Sequence, residues 1–277
     1  MTPTAVVIPC YNEEHRLDAG RFLAFARQHP SLQLVFVNDG SRDGTLRCLQ
    51  EIRQQSPQSI DIVDLEQNCG KAEAVRQGML HAFSNPAATY AGYLDADLAT
   101  PLDAIVEFAE MLDRYPPLEL VMGARLRLLG RRINRRPVRR WVGRLCAAGA
   151  GLALGQPVRD TQCGAKLFRV TATTREIFAD PLETRWIFDV ELLARMIRLV
   201  RGSDSRFSDR VLEHPLMQWD EVPGSKLATG DFVRAGLELW KIWRHYRWSQ
   251  AATPTAVPVG NGGNVETPSL ASGRRAA

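Results

Sequence analysis

The chain lacks the cysteine spacing that builds a disulfide framework or a zinc site. Its five cysteines, Cys10, Cys48, Cys69, Cys146 and Cys163, are odd in number and contain no Cys-x-x-Cys pair. That pattern excludes a stapled secreted scaffold and suits a reducing compartment. Long hydrophobic runs are also missing. A helix that crosses a bilayer needs roughly 20 apolar residues, and the longest candidate, Leu145 to Leu154, is short and rich in Gly and Ala. A strand begins almost at once, at Ala5 to Pro9, so no signal peptide is expected. These absences lead to the expectation of a cytoplasmic protein that meets a membrane, if at all, from the side as a peripheral protein. Acidic residues vanish from Val121 to Arg159, while Arg125, Arg127, Arg131, Arg132, Arg135, Arg136, Arg139, Arg140, Arg144 and Arg159 crowd that stretch. The net charge of +4 hides this asymmetry. Such a block favours an anionic partner, whether phosphate, an acidic lipid surface or nucleic acid. It shows no interleaving of aromatic and basic residues, so nucleic acid is the least supported of the three.

What is present is ordinary globular composition, 45% apolar and 24% charged over 277 residues, enough for one large α/β domain with a buried core. Strands are expected at Val6–Ile8, Leu34–Val37, Ile60–Leu65 and Ala91–Leu94. Helices are expected from Glu13 or Glu14 to Gln28, from Gly44 to Gln54 and from Lys71 to Phe83. The strands are apolar without clean alternation, which predicts a mostly parallel central sheet covered by helices on both faces. Ligands in such sheets bind beyond the carboxyl ends of strands. Pro9-Cys10-Tyr11-Asn12, Asn38-Asp39-Gly40-Ser41 and Asp95-Ala96-Asp97 all lie at such ends. The Asn38–Ser41 turn is also expected to cap the next helix.

The second half is less regular. Helices are expected at Pro101–Tyr115, Val138–Leu154, Phe188–Val200 and Thr229–Trp248, and strands at Leu120–Gly123, Cys163–Val170 and Arg210–Glu213. The helix from Thr229 mixes Trp and Tyr with Arg and Lys, which fits a membrane-interfacial helix and equally a helix packed on the domain. From Ala251 onward Pro, Gly, Ala, Ser and Thr dominate, as in a disordered tail. The expected organisation is therefore a catalytic-sized domain over 1–228, an amphipathic helix over 229–250 and a tail over 251–277.

Asp95 and Asp97 carry the clearest chemistry. An apolar strand, Tyr93-Leu94, runs straight into two carboxylates one residue apart. Side chains alternate along an extended chain, so the two acids are expected to converge. Clustered anions call for a cation between them, and a hard divalent ion carrying phosphate oxygens fits. The same pattern is common in plain surface turns, and it gains weight from the other two clusters on the same rim.

Three motifs together resemble the family 2 glycosyltransferases with the GT-A (Rossmann-like) fold. They are Val7-Ile8-Pro9-Cys10-Tyr11-Asn12-Glu13, Val37-Asn38-Asp39-Gly40-Ser41-Arg42-Asp43-Gly44-Thr45 and Asp95-Ala96-Asp97. Asn68-Cys69-Gly70-Lys71, Arg159-Asp160-Thr161-Gln162-Cys163-Gly164, Lys166-Leu167-Phe168, Trp186 to Leu193, and Trp219 with Glu221 to Lys226 narrow this. They resemble the dolichyl-phosphate β-glucosyltransferase branch, a relative of the dolichol-phosphate mannose synthases. The resemblance spans roughly residues 4 to 248. The chain departs from the branch in its lack of transmembrane helices and at Ala165, where the branch usually has Phe.

The resemblance implies an inverting, metal-dependent transfer of a hexose, glucose favoured, from a nucleotide diphosphate sugar such as UDP-glucose or GDP-mannose to a polyprenyl phosphate. Asp97 is expected to ligate Mg²⁺ or Mn²⁺ directly, with Asp95 sharing the metal or a ribose hydroxyl. Pro9 and Tyr11 would wall the base, Glu13 and Asp39 would accept hydrogen bonds from base or ribose, and Lys71 would meet base or diphosphate. A phosphate acceptor is already ionised and asks for arginines more than for a general base. Arg125 is the first candidate, then Arg139, Arg140 and Arg144 on the expected acceptor helix, with Asp160 and Gln162 on a loop facing the acceptor. Asp189 stands where many inverting members place a base, and with a phosphate acceptor it would order the sugar or an arginine instead. Trp186 is expected either on the sugar face or in the core. Two other readings stay open: a soluble glycan or small-molecule acceptor, and a non-catalytic nucleotide-sugar-binding module.

Overall fold

The computed structural model describes residues 1–201, 206–222 and 229–248. The expected tail at 251–277 and the motif residues Pro223 to Lys226 lie outside the described residues. The core is a seven-stranded sheet in the order β3-β2-β1-β4-β7-β5-β8. Its strands are β1 (Thr4–Cys10), β2 (Leu32–Asp39), β3 (Ile60–Leu65), β4 (Tyr90–Leu94), β5 (Leu120–Ala124), β7 (Ala165–Arg169) and β8 (Val211–Pro215). The first four pair in parallel, β7 runs against both β4 and β5, and β8 is parallel to β5. The α/β GT-A architecture expected from the motifs is thus present, with β7 as the reversed strand that joins the two halves.

The strands have no polar alternation because both faces are covered. Val6 and Ile8 point into one apolar core with α1 (Ala19–Gln28), α2 (Thr45–Gln55) and α4 (Asp103–Arg114). Ala5 and Val7 point into the other, with α3 (Lys71–Ser84), α5 (Pro137–Leu154), α6 (Ala172–Ala179), α7 (Phe188–Val200) and α9 (Thr229–Trp248). A short α8 (Phe207–Arg210) precedes β8, and a two-stranded sheet pairs β6 (Arg132–Asn134) with β9 (Gln218–Asp220).

Local chemistry moves one expected boundary and one expected cap. Helix α1 starts at Ala19, where the Asp18 side chain accepts from the Arg21 amide at 3.0 Å. Glu13 and Glu14 are not in it, since they tie down the loop before α2. The Glu13 amide donates to Thr45 Oγ1 at 2.8 Å, and Glu14 Oε2 accepts from the Gly44 amide at 2.9 Å. The expected cap from the Asn38–Ser41 turn is also corrected. Asp43, not Asp39, accepts from the Thr45 amide at the start of α2.

Candidate active site

The carboxyl ends of β1, β2 and β4 meet at one rim, and the loops there are tied to each other before any ligand is considered. Asn12, in the left-handed region at φ 54°, donates its amide to Ser41 Oγ and accepts from the Arg42 amide. Asp39 is buried at the end of β2. Its Oδ1 accepts from the Cys69 amide at 2.7 Å, and its Oδ2 accepts from the Gly70 amide at 2.9 Å and from Asn68 Nδ2 at 3.1 Å. Gly40 follows at φ 60°, and any Cβ there would strike the backbone of Gln67 and Asn68. Much of the second motif therefore holds the 67–70 loop against the sheet, and that loop launches α3 with Lys71 at its first position.

Two cavities open from this rim. One, of about 400 Å³, is lined by Pro9, Tyr11, Glu13, Asp39, Lys71, Asp95 and Asp97 among others, which gathers every residue expected around the nucleotide. The other, of about 270 Å³, is lined by Asp95, Asp97, Arg125, Arg135, Asp160, Gln162, Trp186 and Trp219, with Gly143, Cys146 and Ala147 from α5 and Ala235 from α9. Asp95 and Asp97 belong to both, so the acidic pair stands where the two chambers meet.

Strand alternation does not bring these acids together, because β4 has ended at Leu94. A tight turn does, closed by the Leu98 amide on the Asp95 carbonyl at 3.3 Å and carrying Leu98 at φ 53°. A left-handed leucine costs roughly 1–2 kcal/mol, and burial of its side chain in the apolar core offsets that. Asp97 Oδ1 accepts from the Ala99 amide at 3.0 Å, while Oδ2 lies 3.9 Å from Arg16 Nη2. Asp95 Oδ1 is 2.5 Å from Lys71 Nζ, an ion pair, yet this buried oxygen makes no well-angled hydrogen bond. Asp95 also packs so closely on Gly164 that a Cβ there would fall on its carboxylate.

The electrostatics are those of an incompletely neutralised acid cluster. Burial, and next the Asp95 charge, push Asp97 above the usual carboxylate range. Burial raises Glu13 as well, and its buried Oε2 has Arg16 Nε at 3.5 Å but no hydrogen bond. Desolvation works against the Lys71 charge, but Asp95 and its neighbours outweigh it and raise that ammonium. Among the described residues no group of three or more His, Cys, Asp or Glu could enclose a metal ion by itself. Two carboxylates that take up a cation together with phosphate oxygens are the Mg²⁺ pattern. The Asp95 oxygen that makes no hydrogen bond and the raised Asp97 fit such an ion.

The second chamber is basic and aromatic. Arg125, just past β5, grips Asp160 with Nε and Nη2, each at 2.7 Å, and its own amide adds a third bond at 2.9 Å. Its guanidinium lies 5.4 Å over the Trp219 ring. Burial alone would raise Asp160, but the Arg125 charge and hydrogen bonds win and hold it below the usual range. Arg125 and Asp160 both line the chamber, as expected, and each has the other as its first partner. Arg135 was not singled out from sequence, one arginine among ten. Burial and the neighbouring Arg125 pull its pKa down to about 10, while Asp160 and Glu221 act in the opposite sense.

Other expectations are redirected. Asp189 lines neither cavity. It is buried in the first turn of α7 and its Oδ1 accepts from Tyr93 OH and from Lys166 Nζ, both at 2.5 Å. Held by a buried ammonium and a phenol, it is a strut beneath the site and is badly placed as a base. Lys166 also donates to the carbonyls of Thr161 and Cys163 at 2.9 and 2.8 Å, so it fixes the loop that presents Gln162. Arg144 lies on the outer side of α5 over the Trp141 ring at 5.5 Å, away from the chamber that Gly143, Cys146 and Ala147 face. Arg139 and Arg140 sit on α5, but their side chains lie outside the described residues. Trp186 does face the chamber, and Glu238 of α9 holds its loop by accepting from the amides of Arg185, Trp186 and Ile187 at 3.3, 3.1 and 3.2 Å.

Comparison with known proteins gives the family and the fold. The family model for glycosyl transferase family 2 matches residues 5–175. The chain belongs to that family. A dolichyl-phosphate beta-glucosyltransferase of Trichomonas vaginalis is 30% identical over 256 residues, covering 88% of this chain and 72% of the relative. The Drosophila melanogaster enzyme of the same name is 30% identical over 262 residues, covering 87% and 74%. Among solved structures, the Mycobacterium tuberculosis glucosyl-3-phosphoglycerate synthase in complex with Mn²⁺ and UDP-glucose aligns with a TM-score of 0.59 at 16% identity, over 88% of this chain and 79% of that one. A Pyrobaculum calidifontis mannosyltransferase in complex with GDP-Man and Mn²⁺ aligns with a TM-score of 0.59 at 15% identity, over 91% and 65%. At these identities the structural likeness speaks for the shared fold. This family 2 glycosyltransferase has no helix among its described residues long and apolar enough to cross a membrane.

Proposed function

We propose that this glycosyltransferase moves glucose from UDP-glucose to a polyprenyl phosphate, with inversion, at the cytoplasmic face of a membrane. The observation that carries the reading is the acid pair shared by two chambers, one lined by Pro9, Tyr11, Glu13, Asp39 and Lys71 and the other by Arg125 and Arg135. The names of the curated relatives, which act on dolichyl phosphate, support the same acceptor.

On the donor side, Tyr11 and Pro9 wall the base, and Glu13 Oε2, which makes no hydrogen bond within the protein, accepts from a nucleoside N–H or hydroxyl. Lys71 meets the diphosphate in exchange for part of its pairing with Asp95. Asp95 and Asp97 would hold Mg²⁺ or Mn²⁺, which supplies charge stabilisation for the departing diphosphate. On the acceptor side, the acids are already committed. Asp160 is tied to Arg125, Glu221 pairs with Arg136, and Asp189 lies below the floor. An acceptor that brings its own ionised oxygen suits such a chamber better than a hydroxyl that must first lose a proton. Arg135 and the remaining donors of Arg125 would orient that oxygen, and Gln162 and Trp186 would border the sugar. Attack from the acceptor chamber, opposite the diphosphate, gives a β-linked product from an α-linked donor.

The test incubates the protein with labelled UDP-glucose, Mn²⁺ and a polyprenyl phosphate. Label should move to the organic phase, and Asp97→Ala should abolish it. Label that stays in the aqueous phase on a soluble glycan would replace the lipid acceptor, and undiminished transfer by Asp97→Ala would remove the role of the acid pair.

A further inference from the structure

The two helices that wall the acceptor chamber carry a second surface on their outer sides. On α5, Trp141, Leu145, Ala148 and Leu152 recur at helical spacing and all are exposed, Leu145 at 72% and Leu152 at 79%. They lie about half a turn from Ala147, Ala150 and Leu154, which are buried. On α9, Leu237 and Trp240 are exposed on the side opposite buried Ile242. The helices pack together where Leu239 meets Gly149, so both stripes belong to one layer. The charges that border them are cationic. Arg144 lies over Trp141 at 5.5 Å, Arg244 over Trp240 at 4.6 Å, and Lys241 is exposed beside them. Among the described side chains of α9 the acid, Glu238, turns inward to the 185–187 amides.

An apolar stripe edged by tryptophan and arginine matches the headgroup–acyl boundary of an anionic bilayer, where rings and alkyl groups enter and guanidinium groups stay with phosphates. A face destined for another protein copy would meet its own cations there. We propose that the outer faces of α5 and α9 are the surface by which this enzyme docks on an anionic membrane. The proposal rests on the lipid-phosphate reading and deepens it. The inner sides of the same helices give Gly143, Cys146, Ala147 and Ala235 to the acceptor chamber, so docking brings the chamber wall to the lipid headgroups.

The experiment is vesicle flotation of the full chain on phosphatidylcholine with and without phosphatidylglycerol, beside transfer to a short-chain, water-soluble polyprenyl phosphate. The wild type should float with the anionic vesicles. Leu145→Glu with Leu152→Glu should weaken flotation by about tenfold or more, and Arg144→Glu with Arg244→Glu should lose the preference for phosphatidylglycerol. Both pairs should keep the wild-type melting temperature and transfer to the short-chain acceptor. A wild type that does not float, or a Leu145→Glu/Leu152→Glu variant that floats unchanged, overturns the docking face. So does a lipid-free dimer that the leucine substitutions convert to monomer. Absence of transfer to the short-chain acceptor by the wild type would count against the acceptor reading instead, and the flotation result would still decide the docking face.

Discussion

Replacing Lys166 with Met should unbalance the floor of the site. The ammonium is fully buried and satisfies three acceptors: Asp189 Oδ1 at 2.5 Å, Cys163 O at 2.8 Å and Thr161 O at 2.9 Å. Without it, Asp189 keeps a buried negative charge and Tyr93 OH as its hydrogen-bond donor. Removing one partner of a buried pair costs about 3–5 kcal/mol, largely because the other charge remains. For a domain of this size that is a drop in melting temperature on the order of ten degrees. Adding Asp189→Asn removes the stranded charge and preserves an acceptor for Tyr93. The double variant should then recover part of the loss, the remainder being the two orphaned carbonyls, about 1–3 kcal/mol each. Denaturant unfolding of the four proteins gives the coupling. Acceptor KM should rise in the single variant, because the 161–163 loop presents Gln162. Strict additivity, with the double variant as unstable as the sum of the singles, would refute this account of Asp189 as a strut.

Three further outcomes follow from the geometry. Asp160 is held below the usual carboxylate range by Arg125 despite burial, so the unfolded chain takes up the proton first as pH falls. The stability gap between wild type and Asp160→Asn should therefore be constant from neutral pH down to the model-compound value of 3.8 and shrink below it, and a gap that closes near neutrality would contradict the pairing. Gly164→Ala puts a methyl group on the Asp95 carboxylate, so Mn²⁺-dependent UDP binding, followed by calorimetry, should weaken by about tenfold while the fold survives; unchanged binding would mean that Asp95 has room to move. Arg135→Gln should raise acceptor KM, because Arg135 lines the acceptor chamber beside Arg125. A loss of stability with unchanged KM would make Arg135 a structural residue.

The first half of the fold was legible because β1, β2 and β4 are buried on both faces and each helix follows at a turn signal. Ile60–Leu65 and Phe188–Val200 fall where expected. The strands β6 and β9 were not, since three polar-flanked residues carry no periodicity and the partners lie far apart in sequence. Helix α6 begins at a Thr171 capping box whose second member is Thr174 and not the usual Glu or Gln, so the sequence signal is weak. The acid pair was visible, but what brings it together was not, because a left-handed Leu98 leaves no mark in the sequence. Asp39 lines the nucleotide-side cavity as expected, while Asp189 lies beneath the site. Their buried partners, the 68–70 amides and Lys166, become apparent only when distant segments meet. Arg135 differs from its neighbours through the cavity it enters, which no local pattern encodes.

The central claim is that a divalent ion, held by Asp95 and Asp97 at the junction of two chambers, carries the donor diphosphate. Anomalous scattering from a crystal soaked with Mn²⁺ and UDP-glucose tests it most directly. The account predicts one strong peak within ligand distance of Asp97 and the diphosphate, with the glucose turned toward Arg125 and Arg135. A nucleotide bound elsewhere, or a manganese peak that touches neither aspartate, would contradict it.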